Sequence, residues 1–173
     1  HSTTKYMDGH ATQVGGCVVD SGNFDWLAHA DKFPGLCTPD ESYHGLTYAK
    51  AFGKLGYTTK LVAQLMRDLG SIPAPQNSFL LNLGLETLAV RMERHCSNAQ
   101  KVAQFLHDDP RVAWVRYSGL ADDPDHKLAL KYLPNGSCGV MCFGLKGDRE
   151  TAIKFMDSLK MIAIVTHVAD ARS

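Results

Sequence analysis

The sequence predicts an α/β protein, and three observations support this fold class. A β-branched apolar run at residues 14–20 is bounded by glycines, as expected of a short buried strand. Apolar residues then recur at helical period over residues 76–107. Beyond Asp109, short strand patterns alternate with helix patterns. This alternation indicates a small layer of strands with helices on one face.

The first 75 residues contain one predicted strand and several short helices. Leu61, Leu65 and Leu69 recur every four residues, and Gly70 follows them as glycine commonly follows the last turn of a helix. We therefore predict a helix over residues 57–69. The other predicted elements are a buried strand at 14–20, a helical turn at 24–30, a loop at 32–45 and a short helix at 48–52.

A single long helix is predicted over residues 76–107. Pro75 stands where the first turn of a helix tolerates proline, and the apolar stripe continues for about thirty residues. Gly84 lies inside this stripe, where glycine costs about 1 kcal/mol relative to alanine. We expect Gly84 to mark a bend or a close contact with another segment.

The last third of the chain alternates between strands and helices. Asp148 can cap a helix with its carboxylate, and apolar residues follow it at helical spacing. We predict strands at residues 112–117, 139–145 and 161–165, and helices at residues 126–133 and after Asp148.

Composition excludes several classes of function. Lys and Arg together number 18, as do Asp and Glu, so the formal net charge is zero. This balance gives no electrostatic reason to bind nucleic acid or an anionic membrane. No apolar run approaches the roughly 20 residues of a membrane span, and no secretory signal pattern opens the chain. We therefore predict a cytoplasmic protein.

The cysteines and histidines do not form a metal-binding pattern. The five cysteines are scattered. Residues 138–142 have a strand pattern, which would place Cys138 and Cys142 on one face. Reduced, buried thiols explain these cysteines better than a metal site does. The eight histidines show no metal-ligand spacing either. We predict no metal.

Lys5 is the candidate catalytic residue. A lysine amine near its ordinary pKa of about 10.4 is a poor nucleophile, unless its surroundings change or a carbonyl captures it as an imine. Ser2 and Thr4 alternate along an extended backbone, so their hydroxyls would share a face and could hold a phosphate. The alternative on composition alone is a solvated lysine in a threonine-rich turn.

Several blocks of sequence stand out along most of the chain. They are Ser2-x-Thr4-Lys5-Tyr6-x-x-Gly9-His10, residues 14–22, residues 39–45, residues 84–88 and residues 91–95. These blocks resemble the Cys/Met-metabolism family of pyridoxal-phosphate enzymes and occur in family order. The resemblance implies that Lys5 binds pyridoxal phosphate as an imine and that Ser2 and Thr4 bind its phosphate. It also implies the fold of aspartate aminotransferase, called fold type I.

The resemblance further implies how the chain is organised. Residues 1–75 would be the end of a large cofactor domain, residues 76–107 a linker helix, and residues 108–173 an incomplete small domain. We expect the chain to be a fragment that is inactive alone. The family's glycine-rich phosphate loop and pyridinium aspartate would precede His1, and its arginine for the substrate carboxylate would follow Ser173.

The activity implied for the whole enzyme is a γ-replacement on O-acetylhomoserine. Sulfide or a thiol would displace acetate and give homocysteine or methionine. The family also implies a homo-oligomer, a dimer or tetramer, with active sites shared between subunits. Alternatives are a γ-lyase acting on methionine, a cystathionine-forming γ-synthase, or a non-catalytic folded fragment. The sequence does not separate sulfide from methanethiol as acceptor.

Overall fold

The structure is a computed structural model that describes residues 1–172. The chain forms two compact units. Unit 1 contains His1 and residues 16–75, and unit 2 contains residues 2–15 together with the chain from Gln76 onward. The predicted division into cofactor domain, linker and small domain stays a prediction.

Unit 1 consists of short helices around a small aromatic core. The helix at Tyr48–Phe52 is confirmed with the predicted bounds, and the turn predicted at residues 24–30 is a 3₁₀ helix at Leu27–His29. Tyr48 is fully buried with Leu36, Cys37 and Ala49, and other aromatic side chains surround them. The α-helices are α1 (Pro34–Cys37), α2 (Tyr48–Phe52), α3 (Gly56–Lys60) and α4 (Arg67–Leu69).

A continuous helical run confirms the helix predicted over residues 57–69. It starts as α3, continues with π-helical geometry through Leu61–Met66 and ends as α4. Gly70 closes the run in the left-handed region at φ 68°, and its N–H donates to the carbonyl of Met66. This φ is accessible to glycine without strain, so the predicted end of the helix is confirmed.

Two predictions for unit 1 are wrong. The loop expected at residues 32–45 contains α1 and a 3₁₀ helix at Glu41–Tyr43, because Pro34 and Asp40 start these turns. The strand expected at residues 14–20 is not a strand in the part of the chain that the structure describes. Val18 and Val19 are 51% and 77% exposed. A strand requires a ladder of backbone hydrogen bonds to a neighbouring segment. Cys17 donates its backbone N–H to the carbonyl of His1, and this contact does not extend into a ladder.

Unit 2 contains two helices where one long helix was predicted. Helix α5 covers Pro75–Glu86 and α6 covers Leu88–Asp108, with Thr87 between them in a non-helical conformation. Gly84 lies close to this break, and a Cβ on it would collide with the backbone oxygen atoms of Met7 and Asp8. Gly84 therefore marks a close contact between α5 and the loop around Lys5.

The remaining elements of unit 2 largely follow the prediction. Strand β1 (Val112–Arg116) pairs antiparallel with β2 (Cys142–Leu145), and α7 (His126–Tyr132) lies between them in the chain. Helix α8 (Arg149–Asp157) begins at Asp148, whose side chain accepts a hydrogen bond from the Thr151 N–H. Helix α6 packs against β1 and α8 packs against β2.

The end of unit 2 departs from the prediction. Residues 161–165 form no strand among the described residues, and Met161 and Ile162 are 92% and 60% exposed. Cys138 lies outside β2 at φ 63°, so it does not share a strand face with Cys142. All five cysteines are free. No helix within residues 1–172 is long and apolar enough to cross a membrane.

Candidate active site

Lys5 lies in a tight turn of unit 2 rather than on an extended strand. The N–H of Asp8 donates to the carbonyl of Thr3 at 3.1 Å, and the N–H of Gly9 donates to the carbonyl of Lys5 at 2.8 Å. Gln13, which is buried, donates from its side chain to the same Thr3 carbonyl at 3.0 Å. We call residues 3–10 the lysine loop.

The hydroxyls of Ser2 and Thr4 do not share a face in the way that the extended backbone predicted. Thr4 Oγ1 donates to the carbonyl of Gly15 at 3.2 Å and accepts from the Gly15 N–H at 3.0 Å. Ser2 is exposed and precedes the turn. The predicted extended backbone is wrong, because a turn begins at Thr3. The binding roles of the two hydroxyls stay predictions.

The amine of Lys5 is half-buried and lies beside an imidazole. Its Nζ is 3.4 Å from Nδ1 of His167, a residue 162 positions away in the sequence. In the part of the chain that the structure describes, Lys5 makes no ion pair. A carboxylate partner would favour the protonated amine, whereas the unprotonated amine is the form that reacts with a carbonyl group.

A buried carboxylate fixes the end of the lysine loop. Asp8 is fully buried, and its oxygens accept hydrogen bonds from the Thr12 hydroxyl at 2.6 Å, the Thr12 N–H at 2.9 Å and the His10 N–H at 3.3 Å. Burial raises the pKa of Asp8, but the hydrogen bonds from Thr12 and His10 lower it by more, so the pKa lies below its ordinary value.

Arg91, which belongs to α6, also binds the lysine loop. Its guanidinium donates to the carbonyl of Tyr6 at 2.8 Å and to the carbonyl of Gly84 at 2.7 Å. Gly9 has a φ of 72°, and a Cβ there would collide with this guanidinium. Glycine at this position therefore allows both the backbone conformation and the close approach of Arg91.

Tyr6 connects the lysine loop to the region before β2. Its hydroxyl accepts a hydrogen bond from the N–H of Gly139 at 3.0 Å, and its ring packs edge-on against His95 with centroids 5.5 Å apart. Burial raises the pKa of Tyr6 above its ordinary value.

Sequence reasoning singled out Lys5 but not the residues that contact its loop. Asp8 and Arg91 lie within the blocks of family resemblance, yet no spacing rule indicates that one meets Thr12 and the other meets Tyr6. The sequence analysis assigned no role to His167. These contacts join residues 85 to 162 positions apart, except for the local one at Asp8, so periodicity could not reveal them.

The fold defines the class of protein to which this chain belongs. A structure described as an O-acetylhomoserine (thiol)-lyase from Campylobacter jejuni, solved with a pyridoxyl-lysine phosphate, superposes with a TM-score of 0.80 at 35% identity. The superposition covers 99% of this chain and 42% of that one. This likeness confirms the predicted α/β fold of type I pyridoxal-phosphate enzymes.

The sequence then defines the family. Residues 1–173 match the family described as Cys/Met metabolism PLP-dependent enzymes. The chain belongs to this family, as the blocks of resemblance predicted.

Relatives with assigned names match along the whole chain. A homocysteine synthase from Schizosaccharomyces pombe is 43% identical over 173 residues. An O-acetyl-L-homoserine sulfhydrylase from Thermus thermophilus is 40% identical over 173 residues. The chain spans 40% and 41% of the length of these two relatives.

Proposed function

We propose that this chain supplies the cofactor lysine of a pyridoxal-phosphate enzyme that replaces the acetate of O-acetylhomoserine with sulfide or a thiol. The observation that supports this proposal is the half-buried Lys5 amine, which has no carboxylate partner among the described residues. The side chains of His167 and Arg91, both distant in the sequence, contact Lys5 and its loop. The names of the relatives support the choice of substrate.

The residues around Lys5 fit pyridoxal phosphate by their chemistry. The group needs a primary amine for its aldehyde and hydroxyl or N–H donors for its phosphate. Lys5 provides the amine, and Ser2 and Thr4 provide hydroxyls close to it in the sequence. Ser2 is exposed and so available as a donor. Thr4 already donates to Gly15, so its hydroxyl would have to rotate away from that carbonyl to reach a phosphate oxygen.

When bound, pyridoxal phosphate withdraws electrons from the substrate carbons. Lys5 would hold the cofactor through its amine, and the free amine would act as the base that moves protons at the α and β carbons of the substrate. The lysine loop limits the movement of that amine, because Arg91 and Asp8 fix the backbone that follows Lys5. A fixed base reduces the entropy lost in reaching the reacting geometry.

We also propose a cytoplasmic homo-oligomer, a dimer or tetramer. Five free cysteines favour a reducing compartment. Large apolar side chains are exposed in both units, as a subunit interface would require.

An assay on the product of the whole gene tests the substrate. We expect homocysteine and acetate to form in equal amounts from O-acetylhomoserine and sulfide, and a Lys5→Ala variant to lose this turnover. Ammonia and an oxo acid formed without sulfide would instead indicate a γ-lyase. Cystathionine formed faster with cysteine than homocysteine with sulfide would indicate a γ-synthase.

A further inference from the structure

The segment 167–172 lies along the lysine loop in constant register. Ala171 donates its N–H to the carbonyl of Gly9 at 2.9 Å, and Arg172 donates from its guanidinium to the carbonyl of His10 at 3.1 Å. The two residues in each of these pairs are 162 positions apart in the sequence, and so are Lys5 and His167. Three contacts at one offset place the two segments side by side in parallel.

His167 has an unusual environment for an imidazole. Its Nδ1 faces the amine of Lys5, while its Nε2 is buried and has no hydrogen-bond partner among the described residues. A lysine amine donates, so Nδ1 of His167 is the acceptor in this contact. The contact with Lys5 is therefore the polar interaction that orients this ring.

The carboxylate of Asp170 is already paired. Asp170 forms an ion pair with Arg172 at 2.7 Å, and the hydrogen bonds from Arg172 hold the pKa of Asp170 well below its ordinary value. Asp170 is thus neutralised by its own neighbour and does not compete with His167 for Lys5. The ion pair also orients the guanidinium that bonds to His10.

We propose that His167 is a positioning residue for Lys5. Its imidazole Nδ1 accepts a hydrogen bond from the Lys5 amine and holds that amine where it meets the carbonyl of the cofactor. The inference rests on the proposed function, since it assigns His167 a role toward the same lysine.

The test compares His167→Leu with His167→Asn in the product of the whole gene. Leucine removes the acceptor, whereas the side-chain oxygen of asparagine can take the place of Nδ1. Each protein is treated with pyridoxal phosphate and borohydride, and peptide mapping gives the label on Lys5 relative to the exposed Lys101 of α6. We expect His167→Leu to reduce this ratio about tenfold and His167→Asn to keep it within about twofold of the original.

Other outcomes overturn the inference in identifiable ways. An unchanged ratio in His167→Leu would show that His167 does not position Lys5. Equal losses in both variants would show that the side chain matters for packing rather than as an acceptor. Failure to label Lys5 in the unsubstituted protein would instead contradict the proposed function itself.

Discussion

Arg91 and Asp8 show how single residues fix the backbone of the lysine loop. Arg91 brings one guanidinium to carbonyls of both the lysine loop and α5, and Asp8 brings one carboxylate to three donors. Both groups are charged, so their hydrogen bonds are stronger than those between neutral partners.

Replacing Arg91 with lysine should destabilise the lysine loop. A lysine amine cannot donate to the carbonyls of Tyr6 and Gly84 in the planar geometry of the guanidinium. We expect the free energy of unfolding to fall by about 2 kcal/mol, measured by urea denaturation. The exposed Arg94→Lys on the same helix is the control, and an equal effect of both changes would contradict the role of Arg91.

Asp8 should make stability depend on pH. Folding lowers its pKa, so its contribution is present above its unfolded pKa of about 4 and is lost as the pH falls through the folded value. An Asp8→Asn variant should therefore be less stable than the original at pH 6, and the difference should shrink toward pH 3. Denaturation curves at both pH values measure this, with the exposed Asp31→Asn as control. A difference that grows on acidification would refute the interpretation.

At the scale of elements, the break between α5 and α6 is the informative departure from the prediction. The apolar stripe continues through Thr87, so periodicity predicted one helix. The helix is interrupted at Thr87 instead, close to the point where Gly84 meets the backbone of Met7 and Asp8. Only the presence of glycine at residue 84 signalled this contact in the sequence.

Adding one methyl group at this crossing should be costly. Gly84→Ala improves helix propensity by about 1 kcal/mol, yet its Cβ would overlap the backbone of Met7 and Asp8. We expect a net loss of about 2 kcal/mol in the free energy of unfolding. Asn82→Ala, at an exposed site of the same helix, should be neutral or slightly stabilising. Stabilisation by Gly84→Ala would show that α5 does not lie against the lysine loop.

Local elements were predictable where local signals decide them. Tyr48–Phe52, the Gly70 helix end, the Asp148 cap and the β1 and β2 region all follow from turns, caps and periodicity. Residues 14–20 and 161–165 have equally good strand patterns but no ladder of partners within the described chain. Pattern alone cannot supply a partner strand. Family resemblance singled out Lys5, whereas no local pattern indicated His167.

At the scale of the whole molecule, the exposed apolar residues point to association. Val19 is 77% exposed in unit 1, in a segment with strand-like sequence, and Met161 is 92% exposed in unit 2. Unpaired backbone beside β-branched side chains is a surface on which another chain can add. This exposure is the physical basis for the proposed homo-oligomer.

A surface substitution tests whether this segment lies in an interface. Val19→Ser should weaken self-association about tenfold, because a buried valine contributes about 1.5 kcal/mol or more. Val62→Ser, on a helix at a site 58% exposed, is the matched control. Sedimentation equilibrium gives both dissociation constants. If Val62→Ser weakens association as much as Val19→Ser, residues 16–20 are not the interface.

The site of covalent cofactor attachment is the most direct measurement of all. The product of the whole gene, treated with pyridoxal phosphate and then borohydride, should give one dominant labelled peptide, with the pyridoxyl group on Lys5. Lys5→Arg should lose that label while the fold is retained. Label found mainly on Lys50, Lys54 or Lys60 would contradict the assignment of Lys5 as the cofactor lysine.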